Sequence, residues 1–332
     1  MTLIIAEAGV NHNGDINLAK RLVDVAKDSG ADVIKFQTFR AEDLVTSFAK
    51  KANYQIKDAN FSENQFEMLK KLELKNDEFR DLKLYCDNIG IEFLSTGFDF
   101  ESLDFLVDLG IKRIKIPSGE LTNLPYLEKA AQYGLPVIMS TGMSSMHEIK
   151  QSMKAMISKG LSKEKLTVLH CTTSYPAPIE SVNLLAMQTI KNELGVSVGY
   201  SDHSINIEVP IAAVAMGSEV IEKHFTISRD LDGPDHLASL EPDELVRLVN
   251  SIRNTEIALG NPIKKITGPE KENLNLARKS IVAKKDIKRG ETLSSENMTT
   301  KRPANGISPM LWHDLNKTLA KKDFKKDDLI TK

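Results

Sequence analysis

The sequence has few cysteines and no long apolar segment, and both shortages narrow the class of protein. Its 332 residues include only two cysteines, Cys86 and Cys171, and neither belongs to a CxxC pair. Such a chain is expected to keep its thiols reduced, which favours a cytoplasmic setting. No apolar run reaches the roughly 18–20 residues that a membrane-spanning helix needs. The opening residues, MTLIIAEAG, lack the basic stretch and cleavage site of a secretory signal, so we expect neither secretion nor membrane insertion.

A large excess of charge of one sign is also missing, but the net value of −2 hides an uneven distribution. Residues 279–332 contain 13 Lys and Arg against 7 Asp and Glu, a balance of +6, which leaves −8 for residues 1–278. A basic C-terminal part can bind nucleic acid, yet this one lacks interleaved aromatic residues and any DNA- or RNA-binding motif. We therefore expect a solvated or protein-facing surface and no nucleic-acid partner.

Short apolar runs recur along the first 226 residues and alternate with segments of helical periodicity. Eight such repeats predict an α/β fold of the (β/α)8 TIM-barrel type. A doubly wound sheet is the second choice, because no run is followed by GxGxxG. The predicted strands are 3–9, 32–38, 91–96, 113–119, 136–142, 166–172, 196–203 and 219–225.

The C-terminal part of the chain has a different pattern. A helix over 241–260 should close the barrel, which places the barrel domain at 1–262. Residues 263–278 are polar and aperiodic and predict a linker. Residues 279–332 consist of short β-like segments with Gly and Pro turns, so we expect a small β-rich module there.

Side chains along a strand alternate between its two faces, so apolar parity predicts which polar residues face the barrel interior. In the stretch VIEKHFT, Ile221 and Phe225 face the helices. Glu222 and His224 therefore point inwards, and Lys223 lies on the helix side as a snorkelling or interface residue. The C-terminal mouth of such a barrel carries its chemistry. The polar residues predicted to face it are Glu7, Lys35, Gln37, Thr96, Lys115, Ser140, Ser201, His203 and His224.

Two histidines in this set, His203 and His224, end consecutive strands. Neighbouring strands lie about 5 Å apart, so the two imidazoles can share one metal ion. Water or substrate oxygen would complete the coordination. An open site of this kind suits Mn²⁺, Mg²⁺ or Co²⁺ acting as a Lewis acid on a carbonyl.

Two lysines, Lys35 and Lys115, lie in the same set with several hydroxyl groups. Cationic, donor-rich pockets of this kind bind phosphate or carboxylate. One of these lysines could instead be the nucleophile of a Schiff-base aldolase, although such an enzyme has little need of a metal pair. Glu7 and Glu120 lie at strand ends and are candidate acid/base groups.

Several long motifs follow one another in a fixed order along nearly the whole chain. They are IIAEAGVNHNGD, KFQTF, IKIPSGE, STGM, LHCTTSYPAP, GYSDH, EKHFT, GPDHLASLEPDE and TKRPANG. This series resembles that of the sialic acid synthases, a family that includes N-acetylneuraminate, N,N'-diacetyllegionaminate and pseudaminate synthases. The C-terminal part is similar to the antifreeze-like (SAF) domain that ends these enzymes.

The resemblance implies that phosphoenolpyruvate (PEP) condenses with an open-chain N-acetylated hexosamine and that phosphate leaves by C–O cleavage. It implies that His203 and His224 hold a divalent metal, with Mn²⁺ first among the candidates. The PEP-binding residues that it implies are Lys35, Thr96, Lys115, Ser118, Ser140 and Ser201. The residues that it implies contact the sugar or move protons are Glu7, Gln37, Glu120, Thr173, Tyr175, Asp235 and Arg302.

The family pattern also implies an assembly. In the synthases, the arginine that matches Arg302 reaches the N-acetyl group of the sugar from the other subunit of a domain-swapped homodimer. The segment that matches 263–278 crosses between the two chains. The barrel at −8 and the module at +6 carry opposite charge, which favours docking of one on the other.

Two positions depart from the family pattern. The usual STPF is STGF here, so Gly97 replaces a proline and the turn after Thr96 is expected to be less rigid. Thr173 lies where some N-acetylneuraminate synthases have Asn, which leaves the sugar open between N-acetylmannosamine and a 2,4-diacetamido-6-deoxy hexose.

Functions of three different classes would each use part of this sequence. They are a metal-dependent PEP-condensing synthase, a Schiff-base sialate aldolase, and a non-catalytic sugar- or ice-binding protein that uses its C-terminal module. The inward-facing polar residues favour an enzyme, because a scaffold would not need two lysines and two histidines at a barrel mouth.

Overall fold

Eight parallel strands form a nearly closed barrel in this computed structural model, which describes residues 1–51 and 64–332. The strands are β1 (Leu3–Gly9), β2 (Val33–Thr38), β3 (Glu92–Gly97), β4 (Ile114–Ile116), β5 (Val137–Ser140), β6 (Leu166–Cys171), β7 (Ser197–Asp202) and β8 (Val220–His224). Their order in the sheet is β3-β2-β1-β8-β7-β6-β5-β4, and β3 and β4 lie side by side at the open seam. The predicted fold is confirmed.

Helices follow the strands, and their ends carry the signals that stop and start helices. One helix begins with a capping box between Ser145 and Glu148, and another ends at Gly90, whose φ of 75° is left-handed. In the described residues, no helix is both long and apolar enough to cross a membrane. The helices of the barrel are α1 (Ile16–Asp28), α2 (Ala41–Leu44), α3 (Gln65–Leu72), α4 (Asn76–Ile89), α5 (Phe100–Asp108), α6 (Leu124–Gln132), α7 (Met146–Ser158), α8 (Leu185–Leu194), α9 (Glu208–Ala215) and α10 (Pro242–Leu259).

The barrel interior has an apolar floor beneath a polar mouth. The floor residues pack against one another and are Ile5, Val33, Leu94, Ile138, Leu169 and Val220. Because strand side chains alternate, the residue two positions further along each strand also faces inwards. Those residues are Glu7, Lys35, Thr96, Ser140, Cys171 and Glu222, and all are buried. The floor closes the barrel from below and leaves its polar chemistry at the C-terminal ends of the strands.

Lys223 departs from its predicted place at the surface. Its side chain is 1% exposed, and its Nζ lies 2.6 Å from Oδ2 of the equally buried Asp202. The prediction of a snorkelling or interface residue is wrong, because the ammonium group ends in an ion pair inside the protein and not in solvent.

Residues 261–332 form a separate compact unit. Its antiparallel strands are β9 (Ser280–Ala283) and β10 (Met298–Lys301), with a short helix α12 (Trp312–Leu315) after them. Its own core includes Ile281, Met298 and Phe324.

A further helix, α11 (Gly268–Ala277), occupies most of the segment that was predicted as an aperiodic linker. It buries none of its residues, so it has no apolar stripe that periodicity could detect. Its start is nevertheless marked by a capping box between Thr267 and Glu270 and by a proline in the first turn.

Candidate active site

Lys35 projects from β2 into the barrel mouth, where two carboxylates approach it. Its Nζ lies 2.8 Å from Oε2 of Glu7 and 3.7 Å from Oε2 of Glu222. It also donates a hydrogen bond to Oγ1 of Thr96 at 3.1 Å. Gln37 donates from Nε2 to Oε1 of Glu7 at 3.2 Å. Residues predicted on three neighbouring strands therefore meet in one buried cluster.

Glu222 connects this cluster to β4 and β7. Its Oε1 lies 3.4 Å from Nζ of Lys115 and accepts a hydrogen bond of 2.9 Å from Oγ of Ser201. Strand parity predicts the direction of Glu222, but Glu222 is missing from the residues predicted to form the site. The signal that could have identified it is an acidic side chain on the inward face that also carries His224.

Burial and mutual attraction shift the pKa values of these carboxylates in opposite directions. Burial, assisted by Glu222, raises the pKa of Glu7 to about 7 against the opposing charge of Lys35. Burial also disfavours the charge on Glu222, but Lys115 and Lys35 outweigh it and lower its pKa to about 2. At neutral pH, Glu222 is therefore an anion, whereas Glu7 can either hold or release a proton.

The two lysines are also shifted. Burial lowers the pKa of Lys115. Burial disfavours the charge on Lys35 as well, but Glu222 and Glu7 outweigh it, so the pKa of Lys35 is raised. Lys35 is thus a fixed cation, and Lys115 is the more easily deprotonated of the two.

His203 follows β7 and His224 ends β8, and their ring centroids lie 5.6 Å apart. Nδ1 of His203 lies 2.7 Å from the carbonyl oxygen of Thr172, which fixes the orientation of the ring. Nδ1 of His224 is buried and has no hydrogen-bond partner in the part of the chain that the structure describes. The ring of Tyr175 lies 4.2 Å from the His203 ring and 5.9 Å from the His224 ring, between centroids. Burial lowers the pKa of both histidines, so both are neutral at neutral pH.

A divalent metal fits this histidine pair. Neutral imidazole is the form that binds a metal, and a carbonyl at the second nitrogen, as at His203, is the usual support for a ligating histidine. A cation would also provide the partner that Nδ1 of His224 lacks. Within residues 1–51 and 64–332, no group of three or more His, Cys, Asp or Glu side chains could hold a metal. The protein would thus supply two ligands and leave an open site for water or substrate.

Three hydroxyl groups line another corner of the mouth. Oγ of Ser118 accepts a hydrogen bond from the backbone N of Gly142 at 2.9 Å and lies 3.3 Å from Sγ of Cys171. A Cβ at Gly142 would collide with Oγ1 of Thr173, so glycine permits this close approach. Oγ of Ser140 and Oγ1 of Thr173 are buried without a partner among the described residues. Buried hydroxyls in this state are available to a ligand.

The loop after β1 braces the strand end that carries His224. Asn11 donates from Nδ2 to the carbonyl oxygen of Phe225 at 2.8 Å and to Oγ of Ser239 at 2.9 Å. Ser239 in turn donates to the carbonyl oxygen of the buried Asp235 at 2.7 Å. Asn11 therefore connects two predicted site residues, although only the motif VNHNGD pointed to it.

Glu120 has a side-chain partner outside the lysine cluster. It is half-buried in a short 3-10 turn, Ser118–Glu120, and its Oε2 accepts a hydrogen bond of 2.6 Å from Nδ2 of Asn123.

Comparisons with known proteins identify the family of the chain. The NeuB family model matches residues 22–264, and the SAF domain model matches residues 278–332. The chain belongs to the NeuB family. The resemblance seen in the sequence motifs is thereby confirmed, as is the antifreeze-like module.

Several relatives of this NeuB-family chain are named as synthases of sugar acids. It is 52% identical over 329 residues to the N,N'-diacetyllegionaminic acid synthase of Campylobacter jejuni, which covers 99% of this chain and 98% of the relative. The enzyme of the same name from Legionella pneumophila is 50% identical, with coverages of 92% and 86%. The human N-acetylneuraminate-9-phosphate synthase is 38% identical, with coverages of 90% and 82%.

A solved structure supports the same placement. The N-acetylneuraminic acid (sialic acid) synthetase from Leptospira borgpetersenii matches this NeuB-family chain with a TM-score of 0.72 and 38% identity. The match covers 82% of this chain and 90% of the other.

Packing explains how this member of the NeuB family carries glycine at position 97. A Cβ there would lie 2.9 Å from the backbone N of Leu103 and 3.1 Å from its Cα, so α5 begins too close for a side chain. Tyr126 donates from Oη to the carbonyl oxygen of Gly97. These contacts restrict the backbone of the turn after Thr96, although a glycine was expected to make that turn less rigid.

Arg302 belongs to a different unit from the other predicted site residues of this NeuB-family chain. It follows β10 in residues 261–332, and its side chain is exposed.

Proposed function

We propose that this protein condenses PEP with an open-chain 2,4-diacetamido-6-deoxy hexose to form a nine-carbon 2-keto sugar acid of the N,N'-diacetyllegionaminate type. The observation that carries the reaction is the buried Lys35–Glu222–Lys115 arrangement beside two neutral histidines. The choice of sugar follows the relatives at 52% and 50% identity, which are named for that product.

The lysines supply the binding site for PEP. Phosphate and carboxylate groups need fixed cations and hydroxyl donors, and Lys35 and Lys115 provide the charge. The hydroxyl groups that would complete this binding site are those of Thr96, Ser118, Ser140 and Ser201. Because the oxygen of Ser140 is buried without a partner among the described residues, it can donate to bound PEP without first breaking another bond.

The histidine pair supplies the metal site, with Mn²⁺ as the first candidate and Mg²⁺ or Co²⁺ as alternatives. Bound at His203 and His224, such an ion would polarise the aldehyde carbonyl of the sugar. Gln37, Thr173, Tyr175 and Asp235 would hold the sugar chain. The Tyr175 ring, which packs on His203, would restrict where the aldehyde end can lie.

The reaction forms one carbon–carbon bond and releases phosphate. C3 of PEP attacks the aldehyde carbon, water adds to C2, and the bond between C2 and the phosphate oxygen breaks. The attacking water becomes the keto oxygen at C2 and loses both of its protons, so that in net terms one goes to the aldehyde oxygen and the other to the departing phosphate. Glu7, with its pKa near 7, can exchange a proton at neutral pH. Glu120 is the second candidate for this role.

Two other functions use the same residues. N-acetylneuraminate or pseudaminate synthesis would need only a different sugar in the same site. A Schiff-base aldolase would use Lys115, whose pKa is lowered. However, Glu222 lies 3.4 Å from this ammonium and favours its charged form, which opposes nucleophilic attack.

We further propose that the enzyme works in the cytoplasm as a domain-swapped homodimer, in which Arg302 of one chain contacts the N-acetyl group of the sugar bound in the other. The support is the family pattern of TKRPANG and the opposite charges of residues 1–278 and 279–332.

Phosphate release tests the proposed reaction. The purified protein would be incubated with PEP, Mn²⁺ and either a 2,4-diacetamido-6-deoxy hexose or N-acetylmannosamine. We expect metal-dependent release of phosphate, with the higher kcat/KM for the diacetamido sugar. A higher kcat/KM for N-acetylmannosamine would overturn the sugar assignment alone. Covalent trapping of the substrate on the protein by borohydride, together with activity that EDTA does not reduce, would contradict the synthase assignment and support the aldolase.

A further inference from the structure

A buried ion pair joins the ends of β7 and β8 next to the two histidines. Asp202 and Lys223 face each other in the strand register, and each immediately precedes a histidine, His203 or His224. Nζ of Lys223 lies 2.6 Å from Oδ2 of Asp202, and both side chains are at most 1% exposed. The pair therefore forms the last cross-strand rung before the residues proposed to hold the metal.

The same pair also fastens the backbone on the far side of His203. Asp202 accepts hydrogen bonds from the backbone N of Ser204 at 2.9 Å and from its Oγ at 3.0 Å. Lys223 donates from Nζ to the carbonyl oxygen of Ser204 and, at 3.3 Å, to that of Asn206. The backbone is therefore held both before and after His203 in the chain. Asp202, which precedes it, pairs with the ammonium group of Lys223, and the same ammonium group binds the carbonyl oxygens of Ser204 and Asn206, which follow it.

Stability alone does not account for a charge pair at this place. The neighbouring residues on the same outward face, Tyr200, Ile221 and Phe225, belong to the apolar core between the strands and the helices. Apolar side chains of similar volume are often as stabilising as a buried ion pair, because burying two charges costs about as much as their attraction returns. An ion pair does, however, impose a direction and a distance that apolar packing does not.

We propose that Asp202 and Lys223 are positioning residues that set the spacing and orientation of His203 and His224 for a divalent metal. This inference rests on the two-histidine metal site proposed above. It gives Lys223 a function that its place on the helix side of β8 did not suggest.

Direct metal binding tests the proposal. Free Mn²⁺ would be titrated against the wild-type protein and Lys223→Met by electron paramagnetic resonance, with circular dichroism to confirm that the variant is folded. Loss of a group that orients a metal ligand weakens metal affinity by about 10–100-fold, and we expect that range for the Kd of Mn²⁺. The Kd for PEP alone should change much less, because the lysine cluster lies on the inner face.

Arg113→Met is the matched control. Arg113 makes a bidentate ion pair with Glu92 at 2.7 and 3.0 Å, ahead of β4 and at the start of β3, at the opposite end of the strands from the histidines. This variant also removes the cation of a barrel ion pair, and its Kd for Mn²⁺ should stay within about twofold of the wild-type value, below the range expected for the positioning pair.

The outcomes separate this inference from the proposed function. A wild-type protein that binds no Mn²⁺ in stoichiometric amount would overturn the metal site itself. A wild-type protein that binds Mn²⁺, together with a folded Lys223→Met variant of equal affinity, would overturn only the positioning role. If Lys223→Met does not fold, Asp202→Asn carries the same test, because it keeps the size of the side chain and removes the charge. Unchanged Mn²⁺ affinity in that variant would equally reject the proposal.

Discussion

Glu222 lies between Lys35 and Lys115 and offsets part of their positive charge. Two ammonium groups in a buried pocket without a counter-ion would be costly. In the proposed reaction, PEP would bring a carboxylate and a phosphate into the same pocket, so it would share these lysines with Glu222 and would not meet them as free cations. Removing one lysine therefore removes attraction for PEP and leaves Glu222 to repel it.

Lys115→Met should for this reason impair PEP binding more than sugar binding. We expect the KM for PEP to rise by about tenfold or more and kcat to fall, because the charge that Lys115 balances is present before and during the reaction. Steady-state phosphate release gives both constants. Lys129→Met is a suitable control, since Lys129 pairs with Asp104 on the helical exterior. An increase confined to the sugar KM would contradict the assignment of the PEP pocket.

His12 makes the stability of the fold depend on pH. Burial lowers its pKa to about 4, against 6.5 for an unperturbed histidine. Between these values the unfolded chain binds a proton that the folded protein excludes. The neutral His12 therefore contributes its full stabilisation above pH 6.5. As the pH falls from 6.5 towards 4, the free energy of unfolding decreases, by about 3 kcal/mol at most.

Urea unfolding of His12→Asn and the wild type across this range would measure the effect. The difference in unfolding free energy between the two proteins should narrow as the pH falls from 6.5 to 4. His147→Asn, a change at an exposed histidine, is the control for the substitution itself. A constant offset for His12→Asn would show that His12 titrates normally in the folded protein.

The turn between β3 and α5 depends on the absence of a side chain at Gly97. Gly97→Ala should lower the free energy of unfolding by about 1–3 kcal/mol, because the added Cβ meets the backbone of Leu103 and not a flexible side chain. Gly119→Ala is the control, since nothing lies within 4 Å of a Cβ at that position. Thermal or urea unfolding of the two variants would give the comparison, and equal stability of both would show that α5 can shift to make room.

Strand alternation made the barrel interior predictable from the sequence. Apolar residues that pack on helices must share one parity, so Lys35, Lys115 and His224 could be assigned to the inside before any partner was known. The physical constraint is strong because a shift by one residue would exchange the faces of the whole strand. The polar mouth follows from it, whereas the eight strands follow from apolar runs that alternate with helical periodicity.

Side-chain pairs between neighbouring strands could not be predicted from strand alternation. Lys223 was expected at the surface because a charged residue on a helix-facing position normally has no buried partner. Its partner, Asp202, lies on another strand, and only the register of β7 against β8 brings the two together. Helix α11 was missed for a different reason, since a helix that buries no residue shows no apolar period.

Subunit exchange tests whether the active site is completed by a second chain. Chains with Arg302→Ala and with His203→Ala should each be inactive alone, because one lacks the proposed sugar contact and the other lacks a proposed metal ligand. After dissociation and reassociation of the mixed dimers, a swapped heterodimer has one barrel with intact histidines and an intact Arg302. Activity should then recover towards about a quarter of the wild-type value, as expected for random mixing of two-chain assemblies.

A heterodimer with a fluorescent label on each chain would prove that exchange has taken place. No recovery despite proven exchange would mean that each module serves its own barrel, or that Arg302 has no part in the reaction. Activity of either variant on its own, before mixing, would show that its substitution does not abolish the reaction.

The pairing of β1 with β8 also has a consequence for how the protein is made. Leu3 lies opposite Val220 and Glu7 opposite His224, so β1 acquires its second neighbour only when the last barrel strand has been synthesised. At about 5–20 residues per second, translation separates these two strands by roughly ten to forty seconds. Throughout that interval the nascent chain presents an unpaired strand edge that other chains can bind. The chain is therefore exposed to aggregation during its synthesis, before the active site can form. Its yield in a cell should depend on whether another segment or a chaperone covers the edge of β1 until β8 has been synthesised.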